Sequence, residues 1–555
     1  MKKQDKILPL TIIGSAILII VGSVTAYMGM YRKETVKNLP VGAEVLPQDT
    51  MITLHVSTDY NQWKKLQEFG TSESKTAFQK FLGNLRDRFL TTYGYNYQRD
   101  IKPWVGKEVA IAFLRQSTLE PSNENIPGSS PPPPAQQATM VVLPIADPIA
   151  AKKILDKPPS LNEGKLVKRT YRGIEITETQ EVASQDFSVA ALGEKFLVVT
   201  NSPRAINRVV DIYKGDNSLE KAPGLTQAIN KLETAPSFAK VYVNIPAAAA
   251  YTSSKSVTSL SEENLRQFED NQGIAATLNL VPEGINLKAV SWLKPNSQKK
   301  FTVENNATEM LDKLPGNALM MLSGSNLQRM WSDYVKGAVA NPLAPINPET
   351  LRQNMKNATG MDLDKEFINW MGAEYSLSLL PVSKDKKQLQ KFFAGFVFMV
   401  KASDRRVAED SLKKLDQVMK RNKFQVGEAI ARGRPVVKWT SPFGGFTVVR
   451  GWLNGNVVFF TLGGSVENQI LPAPTNSMAE SVFLQKTLPL EGEAWNGNFF
   501  IDISRTFSKK NLSLPQLPAN QKIWVDGIES IGVTSIILNN RTTNYDVFVK
   551  LKKQK

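Results

Sequence analysis

A short pattern that occurs twice constrains the fold of this chain more than any other feature of the sequence. Residues 100–114 begin with an acid, reach Trp-x-Gly-x-Glu four residues later and continue as an alternating, strand-like run. Residues 366–380 follow the same plan. The motif residues are Trp104, Gly106 and Glu108 in the first copy and Trp370, Gly372 and Glu374 in the second. The pair predicts that most of the chain consists of two copies of one folding unit.

Other signals recur in the same order on both sides of the repeated motif. Each copy has a Leu-Pro step before its first strand, an Asp that can cap a helix after its third strand, a hairpin turn, and a closing hairpin. These features lie at 46–47, 147–148, 193–195 and 273–293 in the first copy, and at 314–315, 403–404, 454–455 and 532–551 in the second. The period is too long for a solenoid, so we expect two tandem duplicated domains, 41–300 and 301–555.

The expected fold class is α+β. Hairpins join neighbouring strands directly, without the alternating βα units that produce parallel sheets, and the strand-like runs alternate apolar and polar residues. Each domain is therefore predicted to hold a long, mainly antiparallel sheet with helices on one face. One of these helices is expected between Trp63 and Phe89, where apolar residues recur at helical spacing.

The N-terminal residues 1–40 read as a short basic tail and a transmembrane helix. Residues 7–31 carry no charged side chain, and a helix of this length spans ~37 Å, enough to cross a hydrocarbon core of ~30 Å. A cleaved signal peptide with Val24-Thr-Ala26 before the cleavage point is the alternative, but its apolar region is usually shorter. The tail precedes a single early helix, which favours an internal N-terminus and an exported body.

Residues 117–138 form a proline-rich loop that only the first domain contains. Its four consecutive prolines at 131–134 stand among Ser, Asn, Gly and Gln. Such a segment is too polar and too stiff to enter a core, and we interpret it as an insertion between two strands. The alternative interpretation is a docking site for a proline-binding partner.

Composition excludes several classes of chemistry. The chain has no cysteine and one histidine, His55, so thiolate nucleophiles, Cys-based metal sites and clusters of histidine ligands are absent. The net charge of +16 is spread over both domains and mixed with acids, which is typical of a solvated surface and argues against nucleic acid as the partner. His55 is expected to be a partly buried strand residue whose ring nitrogens are hydrogen-bonded.

Carboxylates are the remaining candidates for chemistry. Glu108 and Glu374 occupy equivalent places after the two Trp-x-Gly steps and could serve a duplicated site, but a recurring acid more often fixes a turn by accepting backbone N–H bonds. Asp362 and Asp364 precede a helix and are interpreted as caps. We therefore assign no catalytic, cofactor-binding or metal-binding residue, and we expect no cofactor.

The sequence resembles a known family, the cyanobacterial proteins catalogued as domain of unknown function 3352. The features that carry the resemblance are the apolar N-terminal helix, Leu-Pro-x-x-Thr at 46–50, Trp-Val-Gly at 104–106 and Gly-Glu-Lys-Phe-Leu-Val at 193–198. The resemblance covers residues ~40–555. It implies a membrane-tethered protein of photosynthetic bacteria with no assigned chemistry, and it supplies no functional residue.

Three functions remain open at this point. The first is a single-pass membrane-anchored protein, with its bulk in the periplasm or the thylakoid lumen, that binds a protein or lipid partner or scaffolds an assembly. The second is a carrier of a lipid or another apolar molecule. The third is a hydrolase that works without histidine. The first is the leading hypothesis, since the sequence contains no nucleophile–base set.

Overall fold

A computed structural model of the chain describes twelve segments of the sequence. They are residues 39–89, 95–116, 136–156, 165–180, 187–232, 236–255, 270–338, 347–382, 394–442, 446–489, 494–507 and 519–553. The predicted transmembrane helix at 7–31 and most of the proline-rich loop lie outside these residues. Within them, no helix combines the length and the apolar character needed to cross a membrane.

The chain divides into two compact units. The first unit takes in most of residues 39–300, and the second takes in residues 301–552. In the described residues, the strands of the first unit are β1 (Ile52–Ser57), β2 (Glu108–Gln116), β3 (Gln136–Pro144), β4 (Lys165–Tyr171), β5 (Ile174–Gln180), β6 (Ser188–Leu192), β7 (Phe196–Thr200), β8 (Ala239–Asn244), β9 (Asn271–Val281) and β10 (Gly284–Leu293).

Helices separate some of these strands. In the first unit they are α1 (Tyr60–Gln67), α2 (Ser72–Phe89), α3 (Pro148–Asp156), α4 (Pro203–Tyr213), α5 (Leu225–Ile229) and α6 (Ile245–Lys255), with a π-helical turn at Tyr97–Ile101 and a 3₁₀ turn at Leu219–Lys221. The predicted helix between Trp63 and Phe89 is thus two helices. Gly70, whose φ is +96°, lies in the break between them.

The second unit follows the same plan. Its strands in the described residues are β11 (Met320–Gly324), β12 (Tyr375–Pro381), β13 (Ala394–Lys401), β14 (Gln425–Ala431), β15 (Arg434–Thr440), β16 (Thr447–Leu453), β17 (Val457–Leu462), β18 (Gly497–Asp502), β19 (Ile528–Asn539) and β20 (Thr542–Leu551). Its helices are α7 (Glu309–Lys313), α8 (Leu327–Ala338), α9 (Pro348–Thr359), α10 (Leu363–Glu366), α11 (Arg405–Arg421), α12 (Glu467–Ile470), α13 (Val482–Gln485), α14 (Ile503–Thr506) and α15 (Ala519–Val525), and a 3₁₀ turn spans Ile368–Trp370.

Within each unit the strands pair in the same order. In the first unit the order is β4-β5-β6-β7-β3-β2-β1-β8-β9-β10. In the second unit it is β14-β15-β16-β17-β13-β12-β11-β18-β19-β20. Neighbouring strands within each unit pair in antiparallel fashion, as in β1–β2 and β11–β12. The α+β class with antiparallel sheets is therefore confirmed.

Local sequence signals account for several boundaries. The side chains of Asp147 and Asp404 accept hydrogen bonds from backbone N–H groups in the first turns of α3 and α11, at 3.0 and 3.1 Å, as the cap prediction required. The hairpin between β16 and β17 was also predicted. Its positive φ angles fall on Gly455 and Asn456, however, and not on Asn454 and Gly455. The turn is therefore shifted by one residue.

The prediction that helices cover one face of each sheet is wrong. Adjacent residues of a strand point to opposite faces, and both Leu197 and Val198 of β7 are buried. Val198 packs in a cluster with Ile206 of α4, whereas Leu197 packs in another with Ala151 of α3. β17 is likewise buried on both faces, since Val458 and Phe459 belong to different clusters. Helices therefore pack against both faces of each sheet.

Candidate functional site

The two motif tryptophans occupy equivalent positions and make the same hydrogen bond. Trp104 and Trp370 are both almost completely buried. The Trp104 Nε1 donates to the backbone oxygen of Asp100 at 2.6 Å, and the Trp370 Nε1 donates to that of Glu366 at 2.9 Å. Each indole therefore closes the turn that brings the chain into the second strand of its sheet.

The backbone of each tryptophan also holds the chain that follows the third strand of its unit. The carbonyl oxygen of Trp104 accepts from the N–H of Ala146 at 2.7 Å, just before α3. The carbonyl oxygen of Trp370 accepts from the N–H of Ser403 at 2.9 Å and from its hydroxyl at 2.9 Å, just before α11. The repeated motif therefore ties a buried ring to the start of a helix in both units.

Neither backbone conformation nor the neighbouring indole accounts for the glycines after the tryptophans. Neither Gly106 nor Gly372 has a positive φ, and the indoles are not what fills the space beside them. A Cβ atom on Gly106 would lie 2.9 Å from Cγ of Pro144, whereas a Cβ atom on Gly372 would lie 3.2 Å from Oε1 of Gln328. Close packing on β3 requires glycine in the first unit, and the second unit is less crowded.

Glu374 accepts backbone hydrogen bonds, in agreement with the structural interpretation of the repeated acids. Its buried carboxylate takes the N–H groups of Glu309 and Met310 at 3.0 and 2.9 Å, at the start of α7. Burial disfavours the charged form and raises the pKa of Glu374 to about 7, although these two N–H bonds act in the opposite direction. Lys401 lies nearby and pairs with the Glu309 carboxylate at 2.7 Å.

Glu108 has corresponding neighbours in the first unit. Its Oε1 accepts from the backbone N–H of Val41 at 3.4 Å, and its Oε2 pairs with Nζ of Lys240 at 2.6 Å. The Nδ1 of His55 lies 3.7 Å from Glu108 Oε1, too far for a hydrogen bond. Both motif glutamates thus hold the segment that precedes the first strand, and both have a lysine close by.

His55 is more deeply buried than the sequence indicated. The residue is 1% exposed, its Nε2 lies 3.0 Å from Oγ1 of Thr53, and Nδ1 has no partner within the described residues. Burial, and then the charge of Lys240, lower the pKa of His55 to about 3. The ring is therefore neutral at physiological pH.

A hydroxyl, an imidazole and a carboxylate lie next to one another in space at Thr53, His55 and Glu108. This is the order of the nucleophile, base and acid in a hydrolase. The three residues do not form a working set. Thr53 and His55 lie inside the protein on β1, between β2 and β8, where a substrate has no access. The distance from Glu108 to the ring is also too long to orient it. The arrangement holds a strand and a turn together.

A polar groove of about 780 Å³ lies in the second unit beside α8, α9 and α10. Asp364 is one of the acids that line it. It accepts from Nε1 of Trp331 at 2.6 Å and from Nε of Arg352 at 2.6 Å, and these bonds lower its pKa although burial alone would raise it. Asp362 caps α10 at 2.9 Å, so the cap prediction holds for Asp362 and is wrong for Asp364.

A second groove, of about 760 Å³, lies in the first unit and is lined by Asp49, Asp211 and Asp216. Two of these acids are paired with arginines, since Arg208 lies 2.5 Å from Asp49 and Arg172 lies 2.7 Å from Asp211. The described residues contain no group of three or more His, Asp or Glu side chains that could hold a metal ion.

One face of the second unit's sheet carries an apolar band. We define the band as Met320, Leu379, Phe396 and Leu462, which are consecutive partners across β11, β12, β13 and β17. Phe396 is 37% exposed and Leu462 is 41% exposed. In the described part of the chain the band is thus a row of four apolar side chains, two of them more than one-third open to solvent.

Two features of the structure were not predicted from the sequence. Lys240 and Lys401, the cations beside the repeated glutamates, were not identified, because nothing local in the sequence links them to those acids. The hairpins β4–β5 and β14–β15 were also missed. Their only strong signal is an Arg-Gly turn in each, where φ is 47° and 79° at 172–173 and 49° and 81° at 432–433.

Comparisons with known proteins identify a family and little else. A family model described as protein of unknown function (DUF3352) matches residues 11–551. No curated protein matches the chain. Two crystal structures of TP0453, crystal forms III and I, are 12% identical to it and cover 47% of this chain and 82% and 81% of their own, with TM-scores of 0.22 and 0.25. Similarity at this level supports no argument about fold or function.

Proposed function

The chain belongs to the DUF3352 family, whose function is unknown, and we propose that it is a non-catalytic binding protein held at a membrane by its N-terminal segment. One observation carries the first part of the proposal. Glu108 and Glu374, the best candidates for chemistry in the sequence, accept backbone N–H groups and hold the start of each unit. Groups that are used in this way are not available to a substrate.

The membrane part of the proposal rests on the sequence. Residues 7–31 carry no charge, and basic residues stand on both sides of them. We infer that this segment anchors the protein and that the two units lie outside the cytoplasm, in the periplasm or the thylakoid lumen of a photosynthetic bacterium.

Location is tested with a reporter that works only after export, fused to the C-terminus. Signal from the reporter, together with full-length protein in the membrane pellet, is the expected result. A full-length soluble pool in the cytoplasm would contradict the membrane anchor.

The absence of catalysis is tested with two isosteric variants. Glu108→Gln and Glu374→Gln keep the size of each side chain and an oxygen that accepts hydrogen bonds, while they remove the charge. Under our proposal both variants change stability, Glu374→Gln also changes its dependence on pH, and both retain binding of whatever partner co-purifies with the natural protein. Loss of a hydrolytic activity in the variants, at unchanged stability, would support the hydrolase instead.

We also propose that the two units descend from one duplicated domain. The shared strand order and the equivalent hydrogen bonds of Trp104 and Trp370 support this origin. An experimental structure with different strand orders in the two units would contradict it.

The apolar band favours a second candidate function, the transport or storage of an apolar molecule. Part-exposed leucine and phenylalanine side chains in one row are suited to an acyl chain. Native mass spectrometry of the purified protein, followed by organic extraction, tests this candidate. A bound lipid that is lost in Phe396→Asp and retained in Phe446→Asp, an exposed phenylalanine outside the band, would establish a carrier. A ligand-free protein would remove the candidate.

A further inference from the structure

The outer strand of the second unit's sheet differs from its counterpart in the first unit. β14 pairs with β15 and, within the described residues, with no other strand, while β4 occupies the same position and pairs with β5. Both therefore present an edge of backbone N–H and C=O groups. Edges of this kind recruit extended chains unless charges or prolines protect them.

β4 carries such protection. Lys165, Lys168 and Arg169 lie within its seven residues, and two of them pair with acids on β5. β14 contains no lysine, arginine or proline, and its one charged residue is Glu428. Ile430 of β14 is 78% exposed, and the space that a side chain on Gly427 would occupy is open. β14 is therefore an unprotected edge.

Cations stand at both ends of β14. They are Lys420, Arg421 and Lys423 before the strand and Arg432 and Arg434 after it. All five are exposed, and in the part of the chain that the structure describes none of them belongs to an ion pair. In the first unit the equivalent turn residue, Arg172, has the same backbone conformation and is paired with Asp211 at 2.7 Å.

We propose that β14 binds an extended acidic peptide segment as an added strand of the second unit's sheet. This inference rests on the proposed binding function and names its surface and its partner. The partner's backbone pairs with the free edge, and its acidic ends lie against the cations that flank β14. A second copy of the chain is a poor partner, because antiparallel pairing centred on Glu428 sets two carboxylates opposite each other.

Hairpin geometry identifies the backbone groups that face outward. The two-residue turn at 432–433 makes Ala431 and Arg434 a hydrogen-bonded pair, and alternation then directs the N–H groups of Val426, Glu428 and Ile430 away from β15. Glu428→Pro removes one of these outward N–H groups without removing a hydrogen bond to β15. Lys168→Pro is the matched control, because Lys168 has the same place on β4 relative to its turn.

The test uses the full chain in detergent and a fluorescein-labelled peptide, Asp-Glu-Thr-Val-Thr-Val-Thr-Asp-Glu, with binding measured by fluorescence anisotropy. The control probes are the same peptide with a central proline and a version with lysines at both ends. We expect binding that weakens with salt and is confined to the acidic, proline-free peptide. Hydrogen exchange should slow at Val426, Glu428 and Ile430 when the peptide is bound.

The variants decide where the peptide binds. Glu428→Pro should abolish binding, Arg432→Glu with Arg434→Glu should weaken it about tenfold or more, and Lys168→Pro should leave it unchanged, each with an unchanged melting temperature. If Glu428→Pro does not fold, the arginine double variant and the exchange data decide. Equal loss in Lys168→Pro would overturn the assignment to β14.

Two further outcomes would overturn the inference. One is no binding of the acidic peptide by the natural sequence. The other is binding to vesicles with anionic headgroups that is abolished by the arginine double variant and unaffected by Glu428→Pro. That result would identify the cations around β14 as a membrane-binding surface. Failure of the peptide with correct export and membrane pelleting would refute only this inference, whereas failure of export would refute the proposed function.

Discussion

Trp104 and Trp370 are the same structural element in two units. Each donates its indole N–H to the carbonyl oxygen of the residue four positions earlier, at 2.6 and 2.9 Å, and each is nearly inaccessible to solvent. Each also offers its own carbonyl oxygen to the chain just before a helix. One residue therefore fixes a turn, a strand and a helix start in each unit.

Trp104→Ala should unfold the first unit and leave the second with its own transition. Truncation of a buried tryptophan typically costs ~3–5 kcal/mol, a large part of the ~5–15 kcal/mol that stabilises a domain. Differential scanning calorimetry of the variant measures this directly, and Trp370→Ala is the matched control with the opposite expectation. Loss of both transitions together in either variant would show that the units unfold as one.

Gly106→Ala should destabilise the protein more than Gly372→Ala. The added methyl at 106 would meet the Pro144 ring at 2.9 Å, and a proline held within β3 cannot move aside easily. At 372 the nearest atom, at 3.2 Å, is the end of a flexible glutamine side chain. We expect a cost of ~1–3 kcal/mol for the first variant and a smaller one for the second, measured by urea unfolding. Equal costs would contradict the packing explanation.

In the Glu374→Gln variant, the stability of the second unit should depend less on pH than in the natural protein. The folded-state pKa of Glu374 is about 7, above its ordinary value of 4.5, so the folded unit holds this proton more tightly than the unfolded chain does. The resulting stabilisation is complete below pH ~4.5 and is lost as the pH rises through about 7. The difference in unfolding free energy between natural protein and variant should therefore change by about 2–3 kcal/mol between pH 5 and pH 8. Parallel pH profiles would contradict this.

His55→Asn should act in the opposite direction on the first unit. The folded-state pKa of His55 is about 3, below its ordinary value of 6.5, so the unfolded chain binds this proton first as the pH falls. The natural protein should lose stability from pH ~6.5 down toward pH 3, on the order of 3 kcal/mol by pH 4, and the variant should lose less over that range. Chemical unfolding at a series of pH values measures the difference. The pH dependence of the second unit serves as the internal control.

Local signals in the sequence predicted the elements that local chemistry determines. Asp147 and Asp404 cap the predicted helices, and the closing hairpins lie at their predicted positions. The direct hairpin connections between neighbouring strands correctly predicted antiparallel pairing. The number of faces covered by helices was predicted incorrectly. The runs Phe-Leu-Val-Val at 196–199 and Val-Val-Phe-Phe at 457–460 do not alternate, and a continuous apolar run signals burial on both faces.

The contacts of the candidate site depend on distant parts of the chain. Lys240 reaches Glu108 because β8 and β2 lie on the two sides of β1, and only the complete sheet brings them together. The hairpin β4–β5 was missed for a different reason. The side chains of β4 are exposed or half-exposed along its whole length, so no apolar alternation marks it in the sequence. The contact between Lys240 and Glu108 therefore depends on tertiary structure, whereas the hairpin β4–β5 was missed because its side chains are exposed to solvent.

The position of β1 sets the order in which the first unit can assemble. β1 (Ile52–Ser57) is made before the other strands described in its sheet, yet it lies in the interior and pairs on one side with β8 (Ala239–Asn244). β11 and β18 stand in the same relation in the second unit. Contacts between residues so far apart in sequence form late and make folding slow. A ribosome that has not yet passed residue 244 therefore holds a chain whose central strand still has an open side.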